Sequence, residues 1–229
     1  MNTDKDARIV QQQYNQMAPG YDRRWQHYTY PTLRFLLDWA DIKPSEQVLD
    51  VGCGTGELEW LHLQTQPQQS LHGVDLAEAM VAVARQKCAG FPQVSFQVST
   101  AESLPYGDRR FDVIVSASAF HYFPGPLVAL TEMGRVLKPG GRLVILDWCR
   151  DFLWCQLCDL WLQWRDPAHR QCYTQPELHQ YLRQAEFQVI AAQRQRFGLF
   201  WGLMIAIAQP IMATVEPQII PSLIDSPPD

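Results

Sequence analysis

The stretch "VLDVGCGTGELEWL", residues 48–61, sets Gly52, Gly54 and Gly56 at alternate positions behind Asp50. Glycine costs backbone entropy in regular structure, so three together fit a chain that turns tightly or lets something come close. The run "QVLDV" ahead of them is too short for a helix and reads as a strand, and residues 57–63 behind them read as a helix. A nucleotide cradle has this strand–turn–helix form. A phosphate-binding P-loop is excluded, because no lysine follows the glycines. The dinucleotide fingerprint Gly-x-Gly-x-x-Gly is missed as well, since Glu57 stands where its third glycine falls. A carboxylate there satisfies helix amides and repels phosphate. The expected ligand is therefore nucleotide-like and carries little negative charge.

The pattern outward from this turn is strand and helix in alternation. Strands are expected over 71–74, 94–98, 111–116 and 142–147, with helices over 78–88 and 127–137. Ahead of the turn, residues 7–17 read as a helix broken by "APGYD", and residues 32–40 as a second helix with Pro31 at its start. Beyond Asp147 come a Trp-rich helical stretch to about Trp164 and a helix over 175–185. Two strand-like runs follow, over 187–194 and 199–208, joined near Gly198 as a hairpin. The tail after Pro210 reads as irregular. These elements predict an α/β, Rossmann-like three-layer domain: a mostly parallel seven-stranded sheet with an antiparallel edge strand and helices on both faces.

The second strand ends in Asp75, where an acidic side chain can accept from both ribose hydroxyls; a plain turn or N-cap residue is the duller alternative.

Composition narrows the function. The 229 residues carry a formal charge of −5, which gives no reason to expect nucleic acid as partner. The polar start "MNTDKDARIV" lacks the features of a signal peptide, so the cytoplasm is the expected compartment. Neither "FLWCQLCDLWLQW" nor "FGLFWGLMIAIA" reaches the roughly 20 apolar residues that span a bilayer, so no integral membrane segment is expected. Six cysteines include a Cys155-x-x-Cys158 pair in an apolar helical setting, which reads as inert thiols with no metal.

"VLDVGCGTG", Asp75, "AESLPY", "FDVIVS" and "LKPGG", in this order, resemble the class I S-adenosylmethionine-dependent methyltransferases, in particular the ubiquinone/menaquinone biosynthesis-like small-molecule group. The resemblance covers roughly residues 14–147 and, more loosely, the closing strands. It implies one methyltransferase domain over 1–229. Within it, 1–46 are N-terminal helices and a cofactor lid, and 47–147 the cofactor-binding core. Residues 148–186 form a helical acceptor-site segment, 187–209 the closing strands and 210–229 the tail.

It also implies S-adenosylmethionine as cofactor and a small-molecule acceptor as partner. By position, Gly52, Cys53, Gly54 and Gly56 lie under its methionine part, with Asp50 toward the amino group, and Asp75 holds the ribose. Leu76 and Met80 line the adenine, Ala101 and Glu102 border its other edge, and Ser116 closes the fourth strand beside it. Tyr14 and Tyr21 belong to the segment that closes over the cofactor. The family's usual aspartate before "AE" is here Thr100, whose hydroxyl accepts the same hydrogen bond without charge.

Methyl transfer from a sulfonium is an in-line displacement, in which the protein mainly aligns the acceptor and excludes water. His121, beyond the fourth strand, is the first candidate base and Asp147, ending the fifth, the second; either can instead shape the pocket. Trp154, Leu157, Trp161 and Trp164 form a broad apolar face expected to pack on the sheet, or else to cover an apolar or aromatic acceptor. Two rivals remain: a module that binds the nucleoside without turnover, and an NAD(P)-dependent oxidoreductase, for which a Tyr-x-x-x-Lys pair is missing.

Overall fold

The computed structural model describes residues 3–165, 171–198 and 201–211. Residues 48–51 are all buried, because β1 (Gln47–Val51) lies deep in a seven-stranded sheet with parallel neighbours on both sides. The other strands are β2 (Ser70–Asp75), β3 (Val94–Val98), β4 (Phe111–Ala117), β5 (Leu137–Trp148), β6 (Phe187–Phe197) and β7 (Trp201–Pro210). Their order across the sheet is β3-β2-β1-β4-β5-β7-β6. The first five are mutually parallel, and β7 pairs antiparallel with both β5 and β6. The hairpin thus supplies the antiparallel edge, with β7 inserted between β5 and β6. Gly198 turns within it at φ +62°.

The helices are α1 (Thr3–Met17), α2 (Tyr21–Ala40), α3 (Glu57–Leu63), α4 (Glu78–Lys87), α5 (Pro126–Val136), α6 (Leu153–Arg165) and α7 (Gln175–Gln184). Successive strand residues point to opposite sides, and two cores follow. Val48, Val113, Val115 and Val144 pack with Leu36 of α2, Leu58 of α3 and Ala84 of α4. Leu49, Ile114, Leu143 and Ile145 pack with Leu130 and Met133 of α5 and Leu178 of α7. Arg142 joins distant parts: its guanidinium donates to the Ala40 and Asp41 carbonyls that end α2 and to the Glu46 carboxylate.

Two expectations are corrected. Pro31 lies inside the 20-residue α2 and does not start a helix. Proline removes one amide there, and around it the Thr29 hydroxyl donates to Trp25 O and that of Thr32 to Tyr28 O and Thr29 O. The first turns also carry Trp25 and Tyr28, which pack on Trp201 and keep the helix running.

The second correction concerns α6, whose wide apolar face does not pack on the sheet. Among its described side chains Cys155 and Asp159 are buried, while Leu153, Leu157, Leu160, Trp161 and Trp164 are exposed. The predicted tail beyond residue 211 lies outside the described residues.

Candidate active site

In an open parallel sheet, ligands bind beyond the carboxyl ends of the strands, where the strand order reverses. Here the reversal falls between β1 and β4. The loop after β1 is tied back to β2, since the Gly52 and Cys53 amides both donate to Val74 O, at 2.8 and 3.0 Å. Gly52, Gly54 and Gly56 all take positive φ, at 84°, 52° and 71°.

Their uses differ. A side chain on Gly54 would meet nothing within 4 Å, and the residue faces the cleft. A Cβ on Gly56 would sit 2.9 Å from Ala84 Cβ and 3.1 Å from Phe96, so this glycine lets α3 approach α4 and β3. Asp75 is fixed from two sides: Oδ2 accepts from Gly54 N at 2.9 Å and Oδ1 from Ala77 N at 2.8 Å. Burial pushes its carboxyl up, and these backbone hydrogen bonds oppose the rise.

A cleft opens over this turn. Gly52, Gly54, Asp75, Leu76, Met80, Thr100, Ala101 and Glu102 line it, and Tyr14 and Tyr21 close it. Helix α1 lies against the start of α4: Gln11 Nε2 donates to Leu76 O, and Asn15 Oδ1 accepts from Ala79 N at 2.9 Å. Asp22, at the start of α2, accepts from the Thr55 hydroxyl and pairs with Lys87 at 2.8 Å, which latches α2 to the glycine loop.

Other sequence-predicted residues stand back from the cleft. Cys53 is buried, and Ser116 is fully buried with its hydroxyl on Val51 O at 2.8 Å. Past Ser116, it is Ala117, Ser118 and Ala119 that reach the cleft. Asp50 lies behind the turn with Oδ1 buried and without a hydrogen-bond partner. Its carboxyl is pushed up by burial and then by the charge of Glu59. Glu57 forms an ion pair with Lys87 at 2.5 Å. Its charge is therefore compensated, and phosphate is disfavoured for a different reason: no lysine or arginine is among the described residues lining the cleft.

His121 and Asp147 are brought together. Asp147 Oδ1 meets His121 Nδ1 at 2.6 Å, and Oδ2 accepts from the His121 amide at 2.9 Å. Both residues are buried and neither lines the cleft. A direct contact with an acceptor is not what this geometry offers; the pair pins the loop after β4 to the end of β5. That loop presents Tyr122 and Phe123 to the cleft.

Tyr122 was not legible as a wall residue. It meets Tyr14 edge-on at 5.3 Å, and Tyr14 lies 6.1 Å from Tyr21. Ser118 was missed too: it holds φ +53°, and its hydroxyl lies 2.6 Å from Tyr28 Oη, which accepts from Trp148 Nε1 at 2.8 Å. The one available signal for both was their position just beyond β4. Burial raises the phenols of Tyr14, Tyr21 and Tyr28, so all three stay protonated. None of the described lining residues comes from α6.

Residues 13–192 match the methyltransferase-domain family. The chain belongs to it. It is 37% identical over 132 residues to the ubiquinone/menaquinone biosynthesis C-methyltransferase of Geobacter sulfurreducens, covering 56% of this chain and 49% of that one. Over 129 residues it is 37% identical to the demethylmenaquinone methyltransferase of Thermus thermophilus, covering 56% of each. The matched region thus spans about half the length of these curated relatives. Among solved structures, the 1,6-didemethyltoxoflavin-N1-methyltransferase of Burkholderia thailandensis superposes with TM-score 0.72 at 20% identity, covering 92% of this chain and 91% of that one. A S-adenosylmethionine-dependent methyltransferase of Thermotoga maritima gives 0.69 at 20% identity, covering 88% and 99%. At such identity the structures speak for the fold alone. Among the described residues, no helix is long and apolar enough to cross a membrane.

Proposed function

We propose that this protein transfers a methyl group from S-adenosylmethionine to a small, largely apolar or aromatic acceptor. The observation that carries the reading is the cleft itself. A fixed carboxylate and an open glycine stand at one wall, tyrosines at the other, and no described lining residue is cationic. The residues fit the cofactor. Gly54 leaves its side-chain space open, and the orphaned, buried Asp50 Oδ1 is suited to an ammonium group, directly or through water. Asp75 would take the ribose hydroxyls, Leu76 and Met80 the adenine faces, and Thr100 its amino group.

When bound, S-adenosylmethionine supplies a methyl group already activated on a sulfonium. The chain contributes alignment and exclusion of water. Tyr14, Tyr21 and Tyr122 close the cleft with aromatic rings, and burial keeps the phenols of Tyr14 and Tyr21 protonated, so these two add no charge of their own. An acceptor bound against them gains affinity from apolar burial at roughly 25 cal/mol per Å². The names of these relatives, concerned with ubiquinone and menaquinone, support the same reading. We take the cytoplasm as the compartment, in accord with six free cysteines.

The test is titration calorimetry of ligand-stripped protein with S-adenosylmethionine, its demethylated product and NAD. A screen of labelled methyl transfer across quinols, phenols, fatty acids and amines then follows. Binding of the first two alone, with turnover on an aromatic acceptor, is expected. Asp75→Ala should weaken cofactor binding by about 1–3 kcal/mol. NAD binding in their place would overturn the reading. Cofactor binding without turnover on any acceptor would reduce the protein to a binding module.

A further inference from the structure

Among the described side chains of helix α6, Cys155 and Asp159 are turned inward, and the large apolar ones are turned to solvent. Cys155 and Asp159, four apart, face the protein: the thiol donates to Gly202 O at 3.2 Å, and Asp159 Oδ1 accepts from the Cys172 amide at 2.7 Å. The opposite stripe holds Leu153, Leu157, Leu160, Trp161 and Trp164 at helical spacing, exposed by 66, 49, 65, 58 and 79%. Asp159 is the helix's one acidic residue, so no carboxylate of α6 reaches this face.

Cations stand at both ends of the stripe. Arg165 lies 6.0 Å from the Trp161 ring centre and 5.6 Å from that of Trp164. At the other end Arg196 lies 5.3 Å over Phe152, just ahead of the helix. This arrangement runs against the whole protein's charge of −5.

We propose that this face docks on an anionic lipid surface, with α6 lying in the plane of the interface. Tryptophan and leucine on the exposed side suit the boundary between headgroups and acyl chains. The arginines at its ends meet anionic headgroups, and the neighbouring face offers no carboxylate from the helix to repel them. At 13 residues the helix is about 20 Å long, enough to lie in the surface and too short to cross it. A second copy is the poorer occupant: stacking two such faces in either direction brings arginine against arginine. The proposal does not depend on the methyl-transfer reading.

Flotation of the full-length protein with phosphatidylcholine vesicles, with and without phosphatidylglycerol, tests it. Binding to the anionic vesicles is expected to exceed binding to the neutral ones by about tenfold and to fall in high salt. Tryptophan emission should shift to the blue on binding. Leu160→Gln combined with Trp164→Gln, and separately Arg165→Glu, should each lower binding about tenfold while circular dichroism stays native. Absence of flotation with either vesicle, or flotation that ignores all three substitutions, would overturn the proposal. So would a lipid-free dimer in light scattering that the same substitutions dissolve while flotation is absent, because α6 would then be an interface between copies.

Discussion

Asp147 accepts three hydrogen bonds inside the protein, from the His121 amide, the His121 imidazole and the Trp148 amide. A carboxylate can only accept, so in the contact with Asp147 it is Nδ1 of His121 that donates. The ring also stacks on Trp148, at 5.3 Å and 23°. Asp147→Asn puts an amide against these donors. It should lower stability by about 1–3 kcal/mol and, through the loop bearing Tyr122, raise the acceptor KM more than it lowers kcat. An equal fall in kcat and kcat/KM would instead place the pair at the chemical step.

A second prediction belongs to Glu59, which is fully buried with both carboxylate oxygens lacking a hydrogen-bond partner. Burial pushes its carboxyl up to about 8, from 4.5 when unperturbed. The folded protein then holds a proton that the unfolded chain has lost. Stability from this group is complete below about pH 4.5 and drains away as pH rises through about 8. Glu59→Gln keeps the shape and removes the titration, so melting temperatures across pH 5 to 8 should flatten, apart from any slope left by Asp50. A slope unchanged in this variant would place the proton elsewhere. Glycine spacing and the carboxylate ending β2 can be found in sequence because each is local. Glu59 carries no such mark, since a glutamate in a first helical turn reads as an ordinary solvated residue until the fold encloses it.

Among the elements, α4 begins without a capping side chain of its own, at Ala77. The cap comes from another helix, where Asn15 of α1 accepts from the Ala79 amide. Docking of α1 and satisfaction of α4 are therefore one event. Asn15→Ala should cost about 0.5–2 kcal/mol in unfolding and hasten cofactor dissociation in stopped-flow displacement. An unchanged off-rate would show that the cap does not control the cofactor's exit. The strands were legible because brief apolar runs bounded by glycine or polar turns admit few alternatives. Helix α2 was half legible: Pro31 is a local stop, and the contacts that override it are made with Trp148 and Trp201, more than 100 positions away. Helix α6 showed its amphipathic period clearly. Its orientation was hidden, because it depends on the Cys172 and Gly202 partners that hold the narrow polar side inward.

For the whole molecule, the sheet order has a consequence in time. Strand β7 leaves the ribosome after β6 yet lies inside it, next to β5. Until β7 emerges, a nascent chain has nothing to pair with the open side of β5, where Val144 and Leu146 wait, and β6 has no neighbour at all. A chain stopped after Phe197 loses two strands of the sheet, although it lacks the residues of only one. Released chains ending there should be cleaved rapidly by protease across β6, and chains extended past residue 211 should resist. Protection already present at the shorter length would mean that β6 finds a provisional seat against β5, to be displaced once translation delivers its proper neighbour.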